Sequence, residues 1–258
     1  MMINRRFSVV TVTRNNLDGL KRTNASLEHE NPDLFEWIVI DGASTDNTVE
    51  YLKTTKVKWV SEPDQGIYDA MNKGIERATG DYVLFLNAGD TLALPRTLEI
   101  LADILKARPI QPDMIYGDAF EDTTQGRIMK QARPHSDITQ GLFTHHQAIF
   151  YRREVINDLR YDQTYNIAGD YKFTAQFLQR SRDVFYWPRP VCVFESGGIS
   201  QKQVFKARMQ QVLIRRELGM SFPFAELITI ARQTLAITIR RLCPSLYWRL
   251  REYALTKR

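Results

Sequence analysis

Four times within the first 118 residues, a short apolar run ends in a polar turn and passes into a helical pattern. No other feature constrains the fold as tightly. The runs are FSVVTV at 7–12, EWIVID at 36–41, VKWV at 57–60 and DYVLFL at 81–86, each rich in β-branched or aromatic residues. Helical patterns follow at about 17–29, 45–54, 67–79 and 95–107. Strand–loop–helix units repeated at this spacing predict an α/β fold, with a mostly parallel, Rossmann-like sheet flanked by helices. Ser44-Thr45-Asp46 marks one helix start, Pro95 is read as lying just inside the last helix, and Gly80 as the stop after the third. From 119 to 204 the rhythm loosens. A hairpin is expected around Gly126, then a polar loop at 131–146, a strand near 147–152, a helix near 169–181 and strands near 184–195. The expected organisation is one domain over 1–204, with halves 1–118 and 119–204, and a helical tail at 205–258.

Charge separates the same two regions. The whole chain carries a formal +5, which alone suggests an anionic partner. Residues 205–258 hold 11 basic and three acidic side chains, a net +8, whereas the preceding 204 residues hold 24 basic and 27 acidic ones, a net −3. At 43% hydrophobic and 25% charged, the composition is that of a globular protein and excludes a mainly disordered, collagen-like or coiled-coil chain. Two isolated cysteines, Cys192 and Cys243, are too few for a disulfide framework or a thiolate metal site, so a reduced cytosolic setting is expected. No uncharged apolar run reaches the roughly 20 residues that span a bilayer, and the apolar stretch after MMINRR is too short for a signal-peptide core.

In open parallel sheets, ligands bind outside the carboxyl ends of the strands. Here those ends read Thr11-Val12-Thr13-Arg14-Asn15, Asp41-Gly42-Ala43-Ser44-Thr45-Asp46, Ser61-Glu62-Pro63-Asp64-Gln65-Gly66 and Asn87-Ala88-Gly89-Asp90. All four are polar, and most are acidic. None matches the glycine cradle of a dinucleotide fold or a P-loop, and the chain has no G-x-S-x-G elbow. Carboxylates at such an edge suit ribose hydroxyls, nucleobase donors and a divalent cation held against a diphosphate. Bland readings stand beside these. Ser44 or Asp46 is an ordinary cap, Asn87–Asp90 is also a good tight turn, Asp170 is a plausible N-cap and Lys73 a plausible solvated charge. His145 and His146, placed on a strand, would point to opposite faces and not share one metal.

The order and spacing of SVVTVTRN (8–15), EWIVIDGASTDNT (36–48), SEPDQGIYDAMNKGI (61–75) and ATGDYVLFLNAGD (78–90) resemble the family 2 glycosyltransferases of GT-A fold. Tyr116-Gly117-Asp118, His146-Gln147-Ala148-Ile149-Phe150, Gly169-Asp170-Tyr171 and Gly197-Gly198-Ile199-Ser200 extend the likeness towards the exopolysaccharide transferases of the colanic acid WcaE branch. The resemblance covers about residues 7–200. It implies a nucleotide-sugar half at 1–118, an acceptor half at 119–204, and inverting transfer from a nucleotide diphosphate sugar to an acceptor hydroxyl. Donor-binding residues would be Thr11, Thr13, Asn15, Asp41, Glu62, Asp64, Asn72, Lys73 and Asn87. Where the family commonly has Asp-x-Asp-Asp, this chain reads Asn87-Ala88-Gly89-Asp90, so Asp90 is the expected ligand of Mg2+ or Mn2+. Asp118 would lie behind that position, His146 near the acceptor or diphosphate, and Asp170 would be the base. A lipid-linked or oligosaccharide acceptor implies work at the cytoplasmic face of the bacterial inner membrane, with the basic tail on the anionic leaflet. Two rivals remain: a nucleotidyltransferase, which would need a basic glycine-rich loop after the first strand, and a basic nucleic-acid-binding module, for which no motif is evident and no nucleic acid is expected.

Overall fold

The structure, a computed structural model, describes residues 6–123, 126–195, 197 and 203–220, together with six positions between 231 and 243. The chain clusters into two units, Met1–Gln211, which holds the sheet, and Val212–Arg258. The strands are β1 (Phe7–Thr13), β2 (Phe35–Asp41), β3 (Lys58–Ser61), β4 (Tyr82–Phe85), β5 (Thr91–Leu92), β6 (Met114–Thr123), β7 (Gly126–Lys130), β8 (Ile149–Arg152) and β9 (Val184–Glu195). The helices are α1 (Leu17–Leu27), α2 (Thr48–Lys53), α3 (Ile67–Arg77), α4 (Thr97–Ala107), α5 (Arg153–Ile156), α6 (Gly169–Arg180) and α7 (Val204–Glu217). The strands form one sheet in the order β3-β2-β1-β4-β8-β6-β9-β5, with β7 paired to β6 as the expected hairpin. The first four are mutually parallel. Antiparallel β8 joins them to the parallel pair β6 and β9, so the sheet is mixed.

Alternation along the strands builds a core on each face. Phe7 and Val9 of β1, with Trp37, Val39, Leu84 and Leu86, pack against Leu20 and Leu27 of α1 and Leu98, Leu101 and Leu105 of α4. Val10, Ile38 and Ile40 face the other way, and there α3 lies so close to β1 that Gly74 touches Val10. An aromatic layer continues this second core: Tyr151 and Phe85 meet Phe173 of α6 edge-on, at centroid distances of 5.2 and 6.3 Å. At the amino end of β2, the buried Glu36 carboxylate accepts from Ser8 Oγ (2.6 Å), Thr79 N (2.6 Å) and Lys58 Nζ (2.6 Å). Burial opposes ionisation there, but these donors outweigh it and hold the acid at about 2.

Three sequence expectations are corrected. Pro95 lies outside α4, because Arg96 adopts a left-handed φ of 60° and the helix begins at Thr97. The start is set from a distance, by the Glu30 carboxylate accepting from Thr97 N (2.9 Å) and Leu98 N (2.8 Å). Gly80 is not a helix stop, since α3 ends at Arg77 with Ala78 as its C-cap. It is glycine because a Cβ would sit 2.7 Å from the Phe7 carbonyl carbon and 2.8 Å from Ser8 N. The segment 184–195 forms one long strand, whose parallel pairing with β6 slips at Asp118 opposite Pro190. Gly198, Ile199 and Ser200, and nearly all of the expected helical tail beyond residue 220, lie outside the described residues.

Candidate active site

The carboxyl ends of β1, β2 and β3 are in register at Thr13, Asp41 and Ser61, which brings their loops together. Asp41 is fully buried and clamps this corner. Its Oδ2 accepts from Ser44 N (3.0 Å) and Ser61 Oγ (2.6 Å), and its Oδ1 accepts from Ser44 Oγ. Asn15, at φ 50°, accepts from Thr45 N through Oδ1 (2.7 Å), and its own N–H donates to Ser44 Oγ (2.7 Å). Asp46 accepts from Thr48 N at the start of α2 (3.0 Å), but the N-cap position is Asn47, so neither Ser44 nor Asp46 is the expected cap. Asp64 accepts from Gly66 N (3.0 Å) ahead of α3 and lies against Gly42. Glu62 pairs with Lys73 Nζ at 3.0 Å, and that ammonium also donates to Pro63 O at 2.9 Å. Asn15, Asp41, Glu62, Asp64 and Lys73 therefore share one corner, and Thr13 is buried there with an unpartnered Oγ1.

Two other donor-side candidates stand apart. Thr11 faces the core: it is buried, and its Oγ1 accepts from Trp37 Nε1 (2.9 Å). The alternation that puts Phe7 and Val9 on that face also puts Thr11 there. Asn72 spends both ends of its amide on the backbone of Tyr161, donating to its carbonyl (2.9 Å) and accepting from its N–H (2.7 Å).

After β4, Asn87–Asp90 does make a turn, closed by Asp90 N donating to Asn87 O (2.9 Å). Gly89 takes φ 108° with Glu195 packed against it, a position that excludes a side chain. The turn also buries Asp90, whose Oδ1 accepts from Glu195 N (3.0 Å) and Oδ2 from Gln147 Nε2 (2.8 Å). Burial, augmented by the charge of Glu195, pushes this carboxyl up to about 7 despite those donors. Asn87 Oδ1 and Gln147 Oε1 are buried without a hydrogen-bond partner. Among the described residues, no three His, Cys, Asp or Glu side chains cluster to hold a metal unaided. A desolvated carboxylate beside an orphaned amide oxygen nevertheless fits a hard cation that takes its other ligands from phosphate and water.

Asp170 is the second residue of α6 and does not cap it; the N-cap position is Ala168. Its Oδ1 accepts from Tyr171 N (2.8 Å) and from Tyr68 Oη (3.3 Å). Its Oδ2 lies 3.6 Å from His146 Nδ1. Gly169 packs on Tyr68, where a Cβ would come 2.7–3.0 Å from ring atoms. His146 and Gln147 belong to a single 3-10 turn, His146–Ala148, rather than a strand. His145 diverges from them, stacked on Phe194 with centroids 4.4 Å apart. Asp118 is engaged from the following segment and from β9, its Oδ1 accepting from Ala132 N (2.8 Å) and Tyr186 Oη (2.8 Å). Reading by residue type missed Tyr68 and Gln147, although both sit in motifs whose order was informative, Gln65-Gly66-Ile67-Tyr68 and His146-Gln147-Ala148.

Residues 8–160 match the family model described as "Glycosyl transferase family 2". The chain is 30% identical to a PGL/p-HBAD biosynthesis glycosyltransferase of Mycobacterium bovis, over 83% of this chain and 86% of the relative. It is 34% identical to an uncharacterized glycosyltransferase of Mycobacterium tuberculosis, over 84% of this chain and 85% of the relative. Among solved structures, residues 1–349 of TarS from S. aureus in complex with UDP superpose with a TM-score of 0.64 at 18% identity, covering 81% of this chain. The chain spans 65% of that structure, less than two thirds of its length. The mannosyltransferase PcManGT of Pyrobaculum calidifontis, in complex with GDP-Man and Mn2+, superposes at 0.63 and 17% identity, over 97% of this chain and 75% of that one. At these identities the structural likeness establishes the fold, which is of GT-A type.

Proposed function

The chain belongs to glycosyl transferase family 2, and on that premise we propose that it is an inverting enzyme, transferring a sugar from a nucleotide diphosphate to a hydroxyl of a saccharide acceptor. One observation carries this reading: a single 3-10 turn meets both acids, with Gln147 on Asp90 and His146 beside Asp170. A base beside the attacking hydroxyl and a cation-holding group beside the leaving diphosphate are what in-line displacement at an anomeric carbon requires.

In this mechanism, the corner formed by Asn15, Asp41, Glu62 and Asp64 receives the nucleoside. Asp170 Oδ2 removes the proton of the acceptor hydroxyl as its oxygen bonds to C1. The bond from C1 to the diphosphate breaks, and its electron pair leaves with the diphosphate. Asp90 and Asn87 would hold a Mg2+ or Mn2+ ion, which when bound neutralises the charge developing on the leaving group. The mannosyltransferase neighbour, in complex with GDP-Man and Mn2+, supports that assignment.

The acceptor half takes a lipid-linked saccharide at the inner face of the bacterial membrane, in exopolysaccharide, capsule or O-antigen synthesis of the WcaE type. Support for the membrane comes from the +8 charge of residues 205–258 and from Phe205, 81% exposed, beside Lys206 on α7. Among the described residues, no helix is long and apolar enough to cross a membrane.

The test is a panel of nucleotide sugars with and without Mn2+, read as thermal stabilisation and as release of nucleoside diphosphate. At least one sugar nucleotide is expected to raise the melting temperature and be turned over. Pyrophosphate release from a nucleoside triphosphate and a sugar phosphate would overturn the reading in favour of nucleotidyl transfer.

A further inference from the structure

The two oxygens of Asp170 have unequal surroundings. Oδ1 accepts from Tyr171 N at 2.8 Å and shares the single Tyr68 O–H, with Oη at 3.3 Å, with the nearer Ile167 O at 2.9 Å. Oδ2 has one polar side-chain neighbour among the described residues, His146 Nδ1 at 3.6 Å. That separation is longer than a hydrogen bond, but side-chain pairs in ligand-free active sites commonly tighten on substrate binding. The imidazole has little freedom to serve another group. Its ring is 11% exposed, and Nε2 is buried with no hydrogen-bond partner. A carboxylate beside Nδ1 favours the tautomer with its proton on that nitrogen.

We propose that His146 is a positioning residue for the base: its Nδ1–H holds Oδ2 of Asp170 so that the oxygen's remaining lone pair faces the acceptor hydroxyl. The inference rests on the reading of Asp170 as base and adds to it. Orientation by a neutral ring has an advantage over a cation. Burial lowers the affinity of His146 for a second proton, although Asp170 opposes this, so at neutral pH the ring donates one hydrogen bond without an ion pair that would suppress the basicity of the carboxylate. Gln147, next in the same turn, binds Asp90. A shift of the turn would therefore disturb both acids, which is why the test must separate alignment from folding.

Asparagine carries its amide nitrogen where histidine carries Nδ1, whereas glutamine reaches the place of Nε2. The experiment measures release of nucleoside diphosphate from UDP-N-acetylglucosamine or GDP-mannose, whichever the full-length enzyme turns over. It compares wild type, His146→Asn, His146→Gln and His146→Ala, with KM for the sugar nucleotide and the melting temperature as companions. For the alanine and glutamine variants kcat is expected to fall about 10- to 100-fold, the order of loss from misplacing a catalytic group by an ångström, with KM nearly unchanged. His146→Asn should retain kcat within about fivefold. In an Asp170→Asn background, His146→Ala should cost nothing further, because the group it positions is gone. An asparagine variant as slow as the alanine one overturns the proposal, as does full activity of His146→Ala. Full activity of Asp170→Asn would instead remove the underlying assignment of the base.

Discussion

Asp170→Asn is expected to lower sugar transfer by about 10³-fold while leaving nucleoside diphosphate binding within about twofold of wild type, a loss typical of removing a general base. The asparagine keeps an oxygen that can accept from Tyr171 N and Tyr68 Oη, so the start of α6 should be unaltered. Only the ability to take a proton at Oδ2 is removed. Because Asp170 does not cap α6, a loss of activity in the variant cannot be ascribed to fraying of that helix. The comparison is transfer rate against binding of UDP or GDP with Mn2+, measured on the same preparation. Transfer at the wild-type rate would exclude Asp170 as base.

The second large effect concerns Asp90. Asp90→Asn should reduce turnover about 10²- to 10³-fold, the order of loss for removing one preorganised electrostatic contact to a developing charge. The fold should tolerate the change. The new amide oxygen can still accept from Glu195 N, and the amide of Gln147 can turn so that its unpartnered Oε1 accepts from the new NH2 group. Without cation or nucleotide, the variant should even be the more stable protein at neutral pH. The sign follows from the folded carboxyl lying at about 7, against an ordinary aspartate at 3.8. The native state then binds more protons than the unfolded one between those limits, so wild-type stability is complete below about 4 and falls as pH rises through 7. The loss amounts to roughly 4 kcal/mol at about 1.4 kcal/mol per unit. Urea unfolding at pH 5 and pH 8 checks it. Because part of the loss has already occurred by pH 5, the wild type should lose roughly 3 kcal/mol over that interval relative to Asp90→Asn, and parallel curves for the two proteins would contradict the assigned environment.

The parallel half of the sheet was legible because β1, β2 and β4 are buried on both faces and read as continuous β-branched or aromatic runs, with caps and turns between. The same logic located the four loops and, through them, Asp90 and the corner built on Asp41. What escaped was decided by contacts distant in sequence. Asp90 and Gln147 are 57 residues apart, and Tyr68 and Asp170 are 102 apart. No local period encodes either meeting. Pro95 was misplaced for a related reason, since the start of α4 is set by Glu30, 67 residues upstream of Thr97. Thr11 is a different case. Its inward direction was already written in the alternation of FSVVTVT, where it shares a face with Phe7 and Val9. Asn72 looked like a ligand because it lies within an informative motif, but its amide pairs with the backbone N–H and C=O of one residue, Tyr161, in the loop before α6.

The central claim is that a hydroxyl activated at Asp170 attacks the anomeric carbon from the side opposite a diphosphate held beside Asp90. The anomeric configuration of the first transfer product tests it most directly, read by the NMR coupling of the new glycosidic proton. A linkage of opposite configuration to the donor is predicted. A product that keeps the donor's configuration would contradict direct displacement and, with it, the roles given to both acids.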